Sequence, residues 1–275
     1  SIHSFPTRRS SDLNLEQLSE RCSHVSIQPR LKEIAPTRRF LITGASDNQG
    51  GAVANSLLEY RAKLPSDQNF EILCLTRNTT SEKAVSLASN GVSIIAGNLF
   101  FPLSVFDKAG PIDAVFCMTC PGDLGDEEKQ ATSLIDASLT HGIKHFVFTC
   151  VDRGGSELSE TNPTEILHLK SKHNVEKYLK EKCAESQMTW IILRPIGFMD
   201  NLMPNFTGKG FAAIWSQIGE RPLQLVSARD IGHSGAMALL QPEACAGRAI
   251  GLAGDELNFE KAQKVFRETD RKSVV

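Results

Sequence analysis

The chain has 275 residues, 41% of them hydrophobic and 23% charged, with a formal net charge of −2. That length holds one large α/β domain or two smaller ones, and the near-neutral charge provides no global basic field to draw in nucleic acid. No apolar run approaches the ~18 residues of a membrane helix, and seven scattered cysteines, several inside apolar strand-like runs, point to buried thiols in a reducing compartment rather than a disulfide framework.

The opening SIHSFPTRRSSDL is rich in Ser and Arg and lacks the apolar core of a secretory signal. It reads as a weak transit peptide or, in preference, as translated adaptor sequence, as does the closing DRKSVV. On that reading residues 1–37 form a poorly patterned lead-in with little order. On the same reading residues 269–275 are expected to be an artefactual tail, with the native C-terminus missing.

From Arg39 onward apolar runs alternate with helical patterns, which predicts βαβ units and a doubly wound parallel sheet. RFLITGA (39–45) is a first strand and AVANSLLEYRAKL (52–64) an amphipathic helix. FEILCLTR (70–77) and VSIIAGNL (92–99) are strands separated by a helix over 81–91, which Gly91 closes. A short helix (102–109) precedes the strand IDAVFCMTC (112–120). DEEKQATSLIDASLTHG (126–142) is a helix with acids in its first turn, suited to the macrodipole. KHFVFTCV (144–151) and TWIILRP (189–195) are strands flanking a long helix over 163–185. Beyond them, GFMDNLMPNFTGKGF is loop-like, 222–232 is a short strand leading into a helix, RAIGLAG (248–254) is a strand, and 258–268 starts a helix. A smaller C-terminal substrate lobe is expected mainly from 196–268.

TGASDNQGG (43–51) lies at a strand–turn–helix junction, the context that a phosphate-cradling loop requires. Gly44 permits the tight turn and Gly50 lets the helix approach the strand, so free amides at the helix start face a pyrophosphate. The competing reading is a glycine-rich turn with no ligand. Arg77 ends the second strand, where an acid would hold a ribose 2′-hydroxyl; an Arg suits the 2′-phosphate of NADP, or is simply solvated.

TGASDNQGG, LTRN, GNL, KQATSLIDAS, KHFVFTCV, HLKSKHNVEKYL and ILRPIGFMDN occur in an order and spacing that resemble the NmrA-like family. These are atypical short-chain dehydrogenase/reductases with a Rossmann fold, and the likeness runs over about 38–268. It implies an NAD(P)-binding protein in the cytoplasm or nucleus. Such a protein is either a reductase of small molecules or a redox sensor that binds a regulatory protein. By position, the resemblance implies that Gly44, Ser46, Asn48, Gln49 and Gly50 form the pyrophosphate loop and that Arg77 holds the 2′-phosphate of NADP(H). Asn98 and Leu99 replace the family's Asp-Leu beside the adenine, Thr119 lines the cofactor channel, and Lys172 contacts the nicotinamide ribose.

Two departures stand out. Asp47 occupies the family's middle glycine, and a carboxylate about 6 Å from a phosphate costs ~1–3 kcal/mol at effective dielectrics of about 80 to about 20. Alternatively Asp47 turns outward and caps the helix. The Tyr-x-x-x-Lys of conventional relatives is His168-Leu-Lys-Ser-Lys172 here, and the serine pair of strand five is Thr149-Cys150. His168 either replaces the tyrosine as a general acid or, in the preferred reading, lines the pocket or faces solvent. Cys117 and Cys120 end a strand rather than open a helix, which favours a structural role over a redox dithiol. The remaining histidines lack metal-ligand spacing, and Lys177, Lys180 and Lys182 alternate with acids on a solvated helix face. The substrate cleft is expected between the carboxyl edge of the sheet and the segment 197–211.

Overall fold

The computed structural model describes residues 38–65, 69–120, 125–203 and 205–272. The expected lead-in over 1–37 and the end of the expected tail, 273–275, lie outside the described residues. The chain divides into two compact units. One comprises Ala35–Ile196 with Ala228–Leu252, and the other includes Gly197–Ser227 and Ala253–Val275.

The first unit alternates strand and helix: β1 (Arg38–Ile42), α1 (Asn48–Arg61), β2 (Phe70–Thr76), α2 (Glu82–Ser89), β3 (Ser93–Ala96), α3 (Pro102–Ala109) and β4 (Ala114–Cys117). It continues through α4 (Asp126–Thr140), β5 (His145–Thr149), α5 (Ser156–Thr161), α6 (Leu167–Ala184) and β6 (Thr189–Pro195). The strands form one parallel sheet in the order β3-β2-β1-β4-β5-β6-β9, the last strand being Arg248–Leu252. The order reverses between β1 and β4. At such a reversal the carboxyl ends of the strands open a crevice, where ligands bind in this architecture.

Alternation along each strand feeds two apolar layers. Leu41, Leu73, Val115, Phe146 and Phe148 pack with Leu134 and Ile135 of α4 and Val175 and Leu179 of α6. Phe40, Ile42, Ile72, Phe116 and Val147 face Val53 and Leu57 of α1 on the opposite side. Both faces are covered, which is why β4 reads as the unbroken apolar run AVFC, all of it buried. Helices α2 and α4 end as expected on left-handed glycines, Gly91 at φ 80° and Gly142 at φ 68°. In each, the amides of the glycine and the next residue return to the last helical carbonyls.

Several boundaries and one assignment differ from the sequence-based expectation. The helix expected over 163–185 begins only at Leu167, because Thr164 sits at φ 62° directly after Pro163, and α5 ahead of them is a separate, unexpected short helix. The segment read as a loop after Gly197 holds β7 (Gly197–Phe198), a 3-10 turn (Met199–Leu202) and α7 (Phe206–Ser216). Its glycines and polar residues hide the helical period. The lobe expected over 196–268 is interrupted, because α8 (Ala228–Leu240) packs against α1 and β9 completes the large sheet.

The second unit contains β7, β8 (Leu223–Val226), β10 (Asp255–Leu257) and α9 (Phe259–Lys272), with the small sheet ordered β10-β8-β7. Trp215, Leu225 and Ala262 form its core, and the Trp215 ring meets the Phe259 ring edge-on at 5.8 Å.

A buried ionic cluster fixes α6 in the first unit. Glu176 accepts hydrogen bonds from Arg194 Nε (2.9 Å) and Nη2 (2.6 Å) and from Arg153 Nη2 (3.1 Å). Arg153 also donates to the Ser159 carbonyl and the Cys150 sulfur, and its Nη2 lies 3.2 Å from His173 Nδ1. Glu160 completes the cluster through Arg194 (2.7 Å) and Lys180 (2.5 Å). Removing Glu176 should cost ~3–5 kcal/mol, because the two arginines that share it stay buried.

Candidate functional site

The site begins where β1 ends. The buried Thr43 donates its hydroxyl to the Met118 carbonyl (2.6 Å) and accepts from the Met118 amide (2.7 Å), which ties the ends of β1 and β4 together. Gly44 then turns at φ 65°, where a Cβ would stand 2.8 Å from Met118 Sδ. At Gly50 a Cβ would stand 2.4 Å from the carbonyl oxygens of both Thr43 and Gly44. The first turn of α1 therefore presses onto the strand end as closely as backbone allows.

Among the described residues, the amides at this helix start have no side-chain cap. Asp47 is the N-cap residue, in extended conformation, but makes no capping bond, and the first turn carries no acid. Elsewhere Ser81 accepts from the Ala84 amide and Asn205 from the Gly208 amide at equivalent positions. Open amides at the positive end of a helix form an anion cradle, so the residues present fit a pyrophosphate.

The capping role considered for Asp47 is not adopted. Its half-buried carboxylate is turned toward the loop after β4, where it accepts a weak hydrogen bond from Cys120 Sγ at 3.7 Å. Burial raises the Cys120 thiol pKa, and Asp47 raises it further. Gln130 of α4 fixes the same loop by accepting from the Cys120 amide (3.0 Å) and donating to its carbonyl (3.2 Å). Cys117 is fully buried in β4, and that burial pushes its thiol up to about 12. The two cysteines are thus a core residue and a loop residue, both shifted away from the reactive thiolate.

Around the loop, Arg77 is exposed immediately beyond β2. Thr76 and Asn78 organise the turn that carries it, the Thr76 hydroxyl bonding both ways with the Asn78 backbone. Ser46 is exposed, and its carbonyl accepts from Lys83 Nζ at 2.7 Å, which brings a second cation to the glycine loop. Asn48 is exposed on the first helical residue. Gln49 reaches across to β5, where Thr149 Oγ1 donates to its Oε1 at 2.6 Å. Asn98 uses its Oδ1 to accept from the Phe100 amide (3.1 Å), closing the turn into α3, and Leu99 is core.

The opposite wall holds Thr119, Lys172 and Glu127. Lys172 Nζ donates to Thr119 Oγ1 at 3.0 Å and lies 3.2 Å from Glu127 Oε1, and the Thr119 hydroxyl donates to the same carboxylate at 3.1 Å. The Phe148 ring lies 5.7 Å from Nζ, and Cys150 Sγ donates to the Lys172 carbonyl at 3.7 Å. His168 stands one turn earlier, exposed in the first turn of α6. The chain's two tyrosines are engaged elsewhere, Tyr178 with Asp136 and Tyr60 with His233. Glu127, Gln130 and Lys83 are site residues that the sequence reading missed. Glu127 and Gln130 lie in a run readable only as a helix with an acidic first turn.

Residues 36–275 match the NmrA-like family. The chain is 29% identical over 206 residues to an NAD(P)H azoreductase of Xenophilus azovorans, covering 74% of this chain and 64% of that protein. It is 27% identical over 147 residues to an NmrA-like family domain-containing protein of Dictyostelium discoideum, covering 53% and 46%. It therefore spans less than two thirds of either relative. With the NmrA-like oxidoreductase malD of Malbranchea aurantiaca it shares 26% identity, covering 84% and 72%. Among solved structures, the triphenylmethane reductase of a Citrobacter species superposes with a TM-score of 0.65 at 20% identity, covering 85% and 75%. The UDP-glucose 4-epimerase of Thermotoga maritima superposes with a TM-score of 0.62 at 15% identity, covering 84% and 82%. Those two likenesses establish the nucleotide-binding fold and nothing finer. With the family match running from the first strand through the last helix, the chain belongs to the NmrA-like family.

Proposed function

We propose that this chain is an NADP(H)-dependent reductase acting on a small carbonyl compound or activated alkene. The observation that carries the reading is the uncapped, acid-free start of α1 at the reversal point of the sheet, with Thr119 and Lys172 on the facing wall. In this reading the amides around Ser46, Asn48 and Gln49 hold the pyrophosphate, while Gly44 and Gly50 give it room. Arg77 takes the 2′-phosphate, with Lys83 close to the same loop. Asn98 and Leu99 border the adenine, and Lys172 with Thr119 orients the nicotinamide ribose. The bound dinucleotide supplies the hydride from the nicotinamide C4, and the protein supplies orientation and exclusion of water. The azoreductase and triphenylmethane reductase likenesses are in keeping with a reductase, although each name belongs to that protein alone.

The decisive measurement is a comparison of NADPH, NADP and NAD affinities in the wild type and in Arg77→Glu. Wild type should prefer the phosphorylated cofactors by about tenfold or more, and Arg77→Glu should erase the preference, as expected for a charge-assisted contact. Equal wild-type affinity for NAD and NADP would overturn the assignment of Arg77.

A second reading, a redox sensor whose NADP occupancy is read by a protein partner, draws on one feature. No tyrosine precedes Lys172 at the expected spacing, and the His168 that replaces it is exposed. Cofactor oxidation across a panel of aldehydes, ketones and enones separates the two. Turnover lost in His168→Phe rules out the sensor and makes His168 the proton donor. Tight NADP binding with no turnover on any acceptor rules out the reductase.

A further inference from the structure

We propose that Glu127 is a positioning residue that holds Lys172 and Thr119 as one preassembled unit for the vicinal hydroxyls of the dinucleotide's nicotinamide ribose; this rests on the reductase reading above. Three polar groups from β4's end, α4 and α6 meet here, and each pair lies within hydrogen-bond distance: 3.0 Å from Lys172 to Thr119, 3.2 Å from Lys172 to Glu127 and 3.1 Å from Thr119 to Glu127.

A free lysine ammonium on a four-carbon stem carries rotamer entropy that a ligand contact would otherwise have to overcome. The Glu127 carboxylate removes that freedom before the ligand arrives. It also fixes the direction of the threonine hydroxyl. Because Thr119 donates its hydrogen to Glu127, its oxygen can only accept from Lys172 or from a ligand. Two of the three ammonium N–H bonds are directed at Thr119 and Glu127, which leaves one to donate outward. The result is one donor beside one acceptor, the complement of a diol whose hydroxyls both give and receive. The unit rests on fixed ground, with the Phe148 ring 5.7 Å from the ammonium and the Lys172 carbonyl engaged by Cys150.

Glu127 touches neither glycine loop nor Arg77 in the contacts of the described residues, so its effect should pass through Lys172 and Thr119. A double-mutant cycle on the full chain reads this directly, using NADPH affinity by fluorescence in wild type, Glu127→Ala, Glu127→Gln, Lys172→Met and the two combinations with Lys172→Met. Glu127→Ala should weaken NADPH at least fivefold and Glu127→Gln by less, since the amide keeps the shape and one acceptor. Either change should cost at least twofold less when Lys172 is already Met, where only the direction of the Thr119 hydroxyl is left for Glu127 to set. A crystal structure of Glu127→Ala should show Lys172 Nζ displaced from Thr119.

Affinity unchanged or tightened in both Glu127 variants would overturn the proposal. So would an equal loss with Lys172 and with Met, because Glu127 would then act without holding the lysine. A wild-type chain that binds no NADPH at all would remove the parent reading and this one together, and is recognised by the wild type itself failing.

Discussion

The starts of α1 and α6 face the same crevice side of the sheet, and each departs from the pattern that the resemblance implies, at α1 from that of the family and at α6 from that of its conventional relatives, yet the consequences differ. At α1 the replaced residue is a glycine, and Asp47 leaves the amides of the first turn uncovered by turning its carboxylate toward Cys120. Under the proposed function the work there belongs to the backbone, so a substituted side chain can move out of the way. At α6 the replaced residue is a tyrosine, and His168 stands exposed. Under the proposed function the work there belongs to side chains, and nothing in the backbone can stand in for a missing phenol. What α6 retains is Lys172, held by Glu127 and anchored from below by the Glu176 cluster.

The largest effect should come from breaking that anchor. Glu176→Ala leaves Arg153 and Arg194 buried without their shared carboxylate, and should lower unfolding free energy by ~3–5 kcal/mol in urea titrations. A loss below about 1 kcal/mol would mean that solvent reaches the arginines, and α6 would be less rigid than the contrast requires. Gly50→Ala tests the backbone side. Its Cβ would meet two carbonyl oxygens at 2.4 Å, so α1 must shift, at a cost of ~1–3 kcal/mol and with loss of the NADP-induced rise in melting temperature. A variant that still gains the full thermal shift would show that the helix can retreat without spoiling the cradle.

Asp47→Gly is the finer probe. It removes a carboxylate near the cradle and should tighten NADP by about tenfold, and less at high salt. Unchanged affinity would place the carboxylate, held at Cys120, too far from the phosphates to matter.

The smallest effect concerns acid. Burial holds the imidazoles of His145, His173 and His233 below the ordinary 6.5, with Arg153 adding to the depression at His173. As pH falls through about 6.5 the unfolded chain takes up protons that the folded chain refuses, so stability should decline from about pH 7.5 to about pH 5.5. His173→Gln should flatten that slope in urea midpoints measured across the range. A slope unaltered by the substitution would assign the acid sensitivity to the other two histidines.

Much of this was legible in advance because it is local. The strand–turn–helix setting of TGASDNQGG, the six alternating units, Gly91 and Gly142 as helix ends and the exposed Arg77 follow from residue type and period over a few positions. The failures have local causes too. Thr164, left-handed after Pro163, delays the start of one expected helix to Leu167, and the glycines of FTGKGFAAIWS obscured α7. The two-lobe reading missed that 228–252 return to the sheet, since no periodicity reports which sheet a strand joins.

The chain by itself determined the parallel α/β architecture, the glycine loop and the absence of the tyrosine, because each depends on a residue and its near neighbours. The tertiary structure alone decided where the side chains of that loop and wall point. Asp47 to Cys120, Gln49 to Thr149 and Glu127 to Lys172 join positions 73, 100 and 45 residues apart. Contacts over such separations exist only once the sheet order has brought the strand ends together, and no spacing along the sequence encodes them.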